Sequence, residues 1–389
     1  MASRERGNGS HRPSGQAPAT AGDPVEPQAL VATAWFDSGE GTEPYAATVR
    51  FTGRRVGSRA PVGSRDTFVQ DETIAEIVPG TGPVSITTWV YGLGAGEWTV
   101  DGEVIATSAV AAAGGTARPR AGRGRPTYPA SWSWRRWAIS TRPDGRTRTR
   151  WAVLAPLATL PAVLPGIYTA LAILSITVAV AVQSAILARG DVPVSRSLLA
   201  SGVTIVAGLI GAKAWYTVLH PGESIIRGGW AVDGFLIALP SVGAVTLLLL
   251  DLPIGVVFDA TTPGIFLAVA IGRIGCFLTG CCAGRPTASR WGIWSSDRRV
   301  GARRVPSQLL ESGTGLVIGA ATLALVFGGT VPVPGAVFVL SFAAYTVVRQ
   351  VLLRLRSERR RSPRTVPLTA AATGVVVAAA AVVSVLQVP

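Results

Sequence analysis

The stretch GRIGCFLTGCCAGRPT, Gly272 to Thr287, decides the class of fold. It closes an apolar run, 261–279, with an arginine near its end, and passes directly into a basic loop. A helix needs a run of about 20 apolar residues to cross a bilayer. Working outward, comparable runs lie at 166–187, 197–218, 229–250, 307–328, 335–353 and 366–388. The segment 151–165, WAVLAPLATLPAVLP, is apolar but short and proline-rich. It fits an extra span, a re-entrant segment or an interfacial helix. The expected fold over 151–389 is a mainly α-helical polytopic membrane protein with about seven to eight transmembrane helices.

The chain has 389 residues, of which 48% are hydrophobic and 15% charged, yet its net charge is +14. The arginines gather between the apolar runs instead of coating a soluble surface. That distribution points to a multi-pass plasma-membrane protein and argues against a nucleic-acid partner. No cofactor and no metal are implied. The cysteines, Cys276, Cys281 and Cys282, have no histidine pair near them and make a weak metal set.

The N-terminal third reads differently. Residues 1–27 are polar and are expected to be a disordered tail. Residues 28–115 read as a small soluble β-sandwich-like domain. YAATVRF, TIAEIV and VSITTWVYGL are β-branched or aromatic runs, and GAGEW, VDGEV and PGTGP read as turns. No catalytic cluster stands out there, which suits a regulatory or docking module. Residues 116–150 hold ten arginines and one acid, with the Trp/Arg string SWSWRRW inside. They read as a basic juxtamembrane linker on the cytoplasmic face, or as a disordered linker, and the first reading makes the N-terminal domain cytoplasmic.

Charges inside the spans are functional candidates: Lys213, Asp233, Asp251, Asp259, Arg273, Glu311 and Arg349. Two crossings separate Arg273 from Arg349, so both guanidiniums can face one leaflet. Paired planar forks suit a lipid phosphate, and snorkelling to the interface is the bland alternative for each. The cysteines read as small helix-end residues, part of an altered substrate pocket, or a metal or redox group.

Taken in order, several motifs resemble the prolipoprotein diacylglyceryl transferases. GRIGCFLTGCCAG resembles that family's signature, and RVPSQLLE, Arg304 to Glu311, its arginine-histidine-proline-serine-glutamine motif. GAVFVLSFAAYTVVR resembles the late span ending in a second functional arginine, here Arg349. GIYTALAILSI places Tyr168 at the family's tyrosine, and GLIGAKAWYTVL and RGGWAVDGF resemble further spans. The resemblance covers about 166–389 and leaves out the N-terminal third. It implies transfer of a diacylglyceryl group from phosphatidylglycerol to the lipobox cysteine thiol of a lipoprotein precursor, with a thioether and glycerol phosphate as products. It implies Arg273 and Arg349 on the phosphate, and Tyr168, Gly272, Ser307, Gln308 and Glu311 around headgroup or loop. Gly284 would give lipid a close approach.

The departures bear on activity. The signature asparagine is Cys276 and its glutamate is Cys281. The family's histidine falls on Asp233, the candidate base for the thiol, and a later carboxylate falls on Leu353. An ordinary aspartate is a weak base for a thiol; His220 is another candidate. Two rivals stand beside the transferase: a non-catalytic relative that binds anionic lipid and displays the β domain, and a phospholipid transporter.

The membrane orientation is in conflict. The loop 283–304 and the segment 353–364 each carry six arginines, which favours the cytoplasmic side. The resemblance implies an extracytoplasmic active face. A separate crossing by 151–165 reconciles the two, with arginines that bind lipid phosphate no longer acting as topology signals.

Overall fold

The structure, a computed structural model, describes residues 28–109, 146–158, 160–219, 231–329, 331 and 333–357. The expected tail, most of the basic linker, His220 and the expected span 366–388 lie outside the described residues.

Five strands form the N-terminal domain: β1 (Gln28–Asp37), β2 (Tyr45–Arg55), β3 (Thr67–Ile77), β4 (Pro83–Tyr91) and β5 (Glu97–Ala109). Two short strands follow, β6 (Arg146–Arg148) and β7 (Arg150–Trp151). β8 (Ile293–Ser296) and β9 (Val300–Arg304) form a hairpin inside the expected active loop. One sheet runs β7-β1-β4-β9-β8 and the other β3-β2-β5-β6. Their inner faces share a core of Leu30, Phe36, Val49, Phe51, Ile86 and Trp98, joined by Ala302 from β9. Each such side chain contributes about 1.5–3 kcal/mol by leaving water. The sandwich is thus the expected one, but it is not built from 28–115 alone: β9 pairs with β4 at Ser85–Gly301 and Ile86–Val300.

One expected turn is strand. In VDGEV, Asp101 and Gly102 lie inside β5 and pair with Thr52 and Phe51. A Cβ on Gly102 would come within 2.5 Å of Ala34 on the facing sheet, so this glycine makes room between sheets.

Among the described residues of 151–165 no helix is long enough to cross a membrane. The segment forms β7, a 3-10 turn at Ala152–Leu157 and a bridge between Leu160 and Val163. Ala158, Leu160 and Val163 pack on Val31 and Trp89 of the sandwich. Its prolines and its short elements suit a surface cover better than a span.

Among the described residues six membrane-domain helices follow: α1 (Ile167–Leu187), α2 (Val194–Leu219), α3 (Val232–Leu249), α4 (Ile254–Thr279), α5 (Ser307–Phe327) and α6 (Ala336–Leu353). All but α3 are long and apolar enough to cross a membrane; in α3 the apolar part is Ile237–Leu249. Many of their large apolar residues, such as Ile173, Ile210, Val317 and Leu340, are exposed, as lipid-facing positions are. Helices approach closely at small residues: a Cβ on Gly264 of α4 would lie 2.6 Å from the Ala179 carbonyl of α1. Gln183 donates to Ser201 and Thr261 at 2.9 and 3.0 Å, linking α1, α2 and α4.

With α3 counted as a crossing beside the five longer apolar helices, alternate crossing puts the N-termini of α1, α3 and α5 and the C-termini of α2, α4 and α6 on one face. The sandwich and the loop 280–306 lie on that same face.

Candidate active site

Four side chains converge at this face. Arg273 stands in α4 about two turns before its end, Glu311 a turn into α5, and Arg349 in the last turns of α6. Arg356 follows just beyond α6. Glu311 is fully buried, and the three arginine side chains are only 10–12% exposed. Arg273 Nε lies 2.6 Å from Glu311 Oε2, an ion pair without an aligned hydrogen bond. Arg356 Nη2 donates to Glu311 Oε1 at 2.7 Å. Arg349 Nη1 stands 4.0 Å from Glu311 Oε2.

Three guanidiniums around one carboxylate leave two positive charges without a carboxylate partner inside the cluster. A buried carboxylate alone would be costly, and one arginine would suffice to neutralise it. The other two leave the cluster net positive, and planar guanidinium donors are the chemistry that suits an anion.

Arg356 escaped the sequence reading because RLRSERRR looks like an ordinary basic flank after a span. Its partners are distant in sequence. Residues 355–357 lie antiparallel to 283–285: Arg285 N donates to Leu355 O at 2.9 Å, and Ser357 N to Ala283 O at 3.0 Å. Arg285 Nε adds a bond to Arg356 O at 3.2 Å.

The signature loop is fixed from beneath by the start of α5. Gln308 Nε2 donates to Cys281 O at 2.9 Å, and Ser307 Oγ to Cys282 O at 3.4 Å. Both side chains are buried, so in this structure they orient the loop. At Gly284 the space a Cβ would take is occupied by the chain's own Val305 carbonyl, so this glycine is needed for close packing of the loop itself. Arg304 Nη1 donates to Gly284 O at 3.1 Å and closes the other side. Around Gly272, by contrast, a Cβ would meet nothing within 4 Å, and the backbone beside Arg273 is open.

Cys276 is buried at the end of α4, and all three cysteines are free thiols. Cys281 Sγ lies 3.6 Å from Cys276 O, a weak contact. For Cys282, hydrogen bonds from Cys276 and Cys281, then the charges of Arg356 and Arg273, hold the thiol below its ordinary range. Among the described residues no cluster of His, Cys, Asp and Glu could hold a metal ion.

Tyr168, in the first turn of α1, is half exposed and borders Gly275 of α4. Leu164 N donates to Leu278 O at 2.8 Å, tying the entry of α1 to the end of α4. Asp233 lies in the first turn of α3 on the same face, and its side chain is outside the described atoms.

Fold and site together define a multi-pass membrane protein with a buried, net-positive arginine cluster at one face. The sequence profile of the prolipoprotein diacylglyceryl transferases matches residues 159–387, more than half of the chain. The chain belongs to that family. Phosphatidylglycerol-prolipoprotein diacylglyceryl transferase 2 of Clostridium perfringens is 28% identical over 176 residues, 41% of this chain and 66% of that protein. The Clostridium tetani enzyme of the same type is 27% identical over 173 residues, 41% of this chain and 67% of its own length. One from Dehalococcoides mccartyi strain 195 is 30% identical over 132 residues, 31% of this chain and 51% of that protein. The matches thus span from half to about two thirds of these relatives. The sandwich is largely outside the matched region.

Proposed function

We propose that the chain transfers the diacylglyceryl group of phosphatidylglycerol to the lipobox cysteine thiol of a lipoprotein precursor. The observation that carries this reading is the three-arginine, one-carboxylate cluster at the end of the signature helix.

The thiol sulfur attacks the glycerol carbon that bears the phosphate ester. A carbon–sulfur bond forms, the carbon–oxygen bond breaks, and the electron pair leaves on glycerol phosphate. The thiol proton passes to a base, the role assigned here to Asp233, or to the departing phosphate. The bound diester carries one negative charge, and the departing monoester approaches two. Two excess positive charges therefore match the leaving group better than the substrate, which is the condition for lowering the barrier. Arg273 and Arg349 make this contact, and Arg356 completes it. Tyr168 borders the lipid headgroup. The dry surroundings of Glu311 strengthen each interaction.

The substitutions at the signature positions favour a second reading, a non-catalytic relative that binds anionic lipid. Position 281 carries a thiol where the family resemblance expects a carboxylate, and Leu353 replaces another carboxylate. The test is transfer from labelled phosphatidylglycerol to a lipobox peptide by the purified protein in nanodiscs. Label on the peptide thiol supports the transferase. Arg273-dependent lipid binding without transfer supports the binder.

A further inference from the structure

We propose that the N-terminal sandwich is a positioning device for the signature loop, acting through Trp35, Trp294 and Arg298; in its catalytic consequence this rests on the transferase reading. The path is continuous and made of directional contacts. Trp35 on β1 and Trp294 on β8 are 1% and 4% exposed and stack with ring centroids 5.3 Å apart at 18°. Trp294 Nε1 also donates to Pro83 O at the start of β4, at 2.8 Å. Beside them β4 and β9 share sheet hydrogen bonds, Thr87 N donates to Arg299 O at 2.8 Å, and Arg299 pairs with Glu72 of β3.

The hairpin so held touches the signature helix at its cap. Arg298, at the hairpin turn with φ +77, donates from Nε to Thr279 O at 2.9 Å. Gly280 caps α4 in the left-handed region, and a Cβ there would meet Ser296 O at 2.7 Å and Arg298 N at 3.1 Å. Thr279 and Gly280 lie within two turns of Arg273 on one side and directly before the thiols on the other. A domain merely tethered to the membrane part would share neither a sheet nor a buried aromatic stack with this loop. Here the path from Trp35 to the cap of α4 is two contacts long, so the sandwich limits where the signature loop can sit. Trp294 and Arg298 are positioning residues: neither reaches the arginine cluster.

The experiment uses the full chain in nanodiscs containing phosphatidylglycerol, with hydrogen exchange and transfer kinetics read on the same samples. Trp35→Ala should raise exchange across 279–304 and lower kcat on the order of tenfold, because small displacements at a reacting centre are costly. KM for the lipid should stay within about twofold, since the arginine cluster is untouched. Trp35→Phe should restore most of both. Arg298→Gln should loosen 279–284 while the amides of β4 and β9 stay protected, which covers the case of a Trp35→Ala protein that does not fold. Unchanged exchange at 279–284 in both Trp35→Ala and Arg298→Gln would overturn the proposal, as would a rise spread evenly over α1 to α6. If wild type binds lipid through Arg273 but transfers nothing, the transferase reading fails, and the exchange data alone decide the positioning.

Discussion

At the scale of single residues the decisive feature is the imbalance of charge around Glu311. Arg273→Ala or Arg349→Ala should each cost about 3 kcal/mol of transition-state stabilisation, measured as a loss of kcat/KM in the transfer assay. Lysine should rescue little, because it keeps the charge but loses the planar fork. Arg356→Ala should fall in the same direction, and wild-type turnover in it would remove Arg356 from the site. Glu311→Gln makes a different prediction. It leaves three buried guanidiniums without their carboxylate, so the thermal midpoint in detergent should drop by the equivalent of about 3 kcal/mol. Phosphatidylglycerol should then raise that midpoint more than it does in wild type, since its phosphate replaces the lost charge. An unchanged midpoint and an unchanged lipid effect would mean that the cluster is solvated and not an anion site.

At the scale of elements, packing in the membrane domain rests on a few buried polar contacts. Asp259 of α4 is 5% exposed and accepts from Gly335 N at 2.6 Å and Phe338 N at 2.9 Å. It therefore satisfies two of the open amides at the start of α6 and places its charge at the favourable end of that helix. Asp259→Ala strands these amides, at about 1–3 kcal/mol. The expected result is a clearly lower thermal midpoint with the phosphate site intact, read as unchanged lipid affinity in the folded fraction. A loss of affinity without a loss of stability would place Asp259 in function instead. The elements also show where local sequence signals fail. Asp101–Gly102 has the composition of a turn, yet it continues β5, because Gly102 answers a demand for space from Ala34 on the facing sheet.

At the scale of the molecule, the sandwich and the signature loop occupy one side of the membrane. With 151–165 folded onto the sandwich, no crossing separates them, so a cytoplasmic N-terminal domain and an extracytoplasmic loop 284–304 exclude each other. The loop arginines are also engaged by protein. Arg298 bonds Thr279 O, Arg299 pairs with Glu72, and Arg304 pairs with Asp297 at 2.8 Å. In a background without the native thiols, cysteines at Val62 and Trp291, both 74% exposed, should react with an impermeant reagent from the same side. A cysteine at Gly190, between α1 and α2, should react from the other. Labelling of positions 62 and 291 from opposite sides would break the shared sheet. Their common side also tells whether the basic loops or the family's active face sets the orientation.

The sequence by itself determined the membrane class, because a span is a local property: length and apolarity of one segment suffice. It also determined the β-rich N-terminal region and the family, since residue patterns and motif order survive without any knowledge of contacts. Arg273 and Arg349 were legible as a same-face pair by counting crossings. Only the tertiary structure decided the rest. Whether Ser307 and Gln308 serve lipid or loop depends on which carbonyls lie within 3 to 3.5 Å, and no spacing in the chain encodes that. Arg356 joins the site because residues far apart in the chain form an antiparallel contact. The sandwich is tied to the signature loop for the same reason: sheet pairing and aromatic stacking act between segments more than 200 residues apart, where sequence patterns carry no record of the partner.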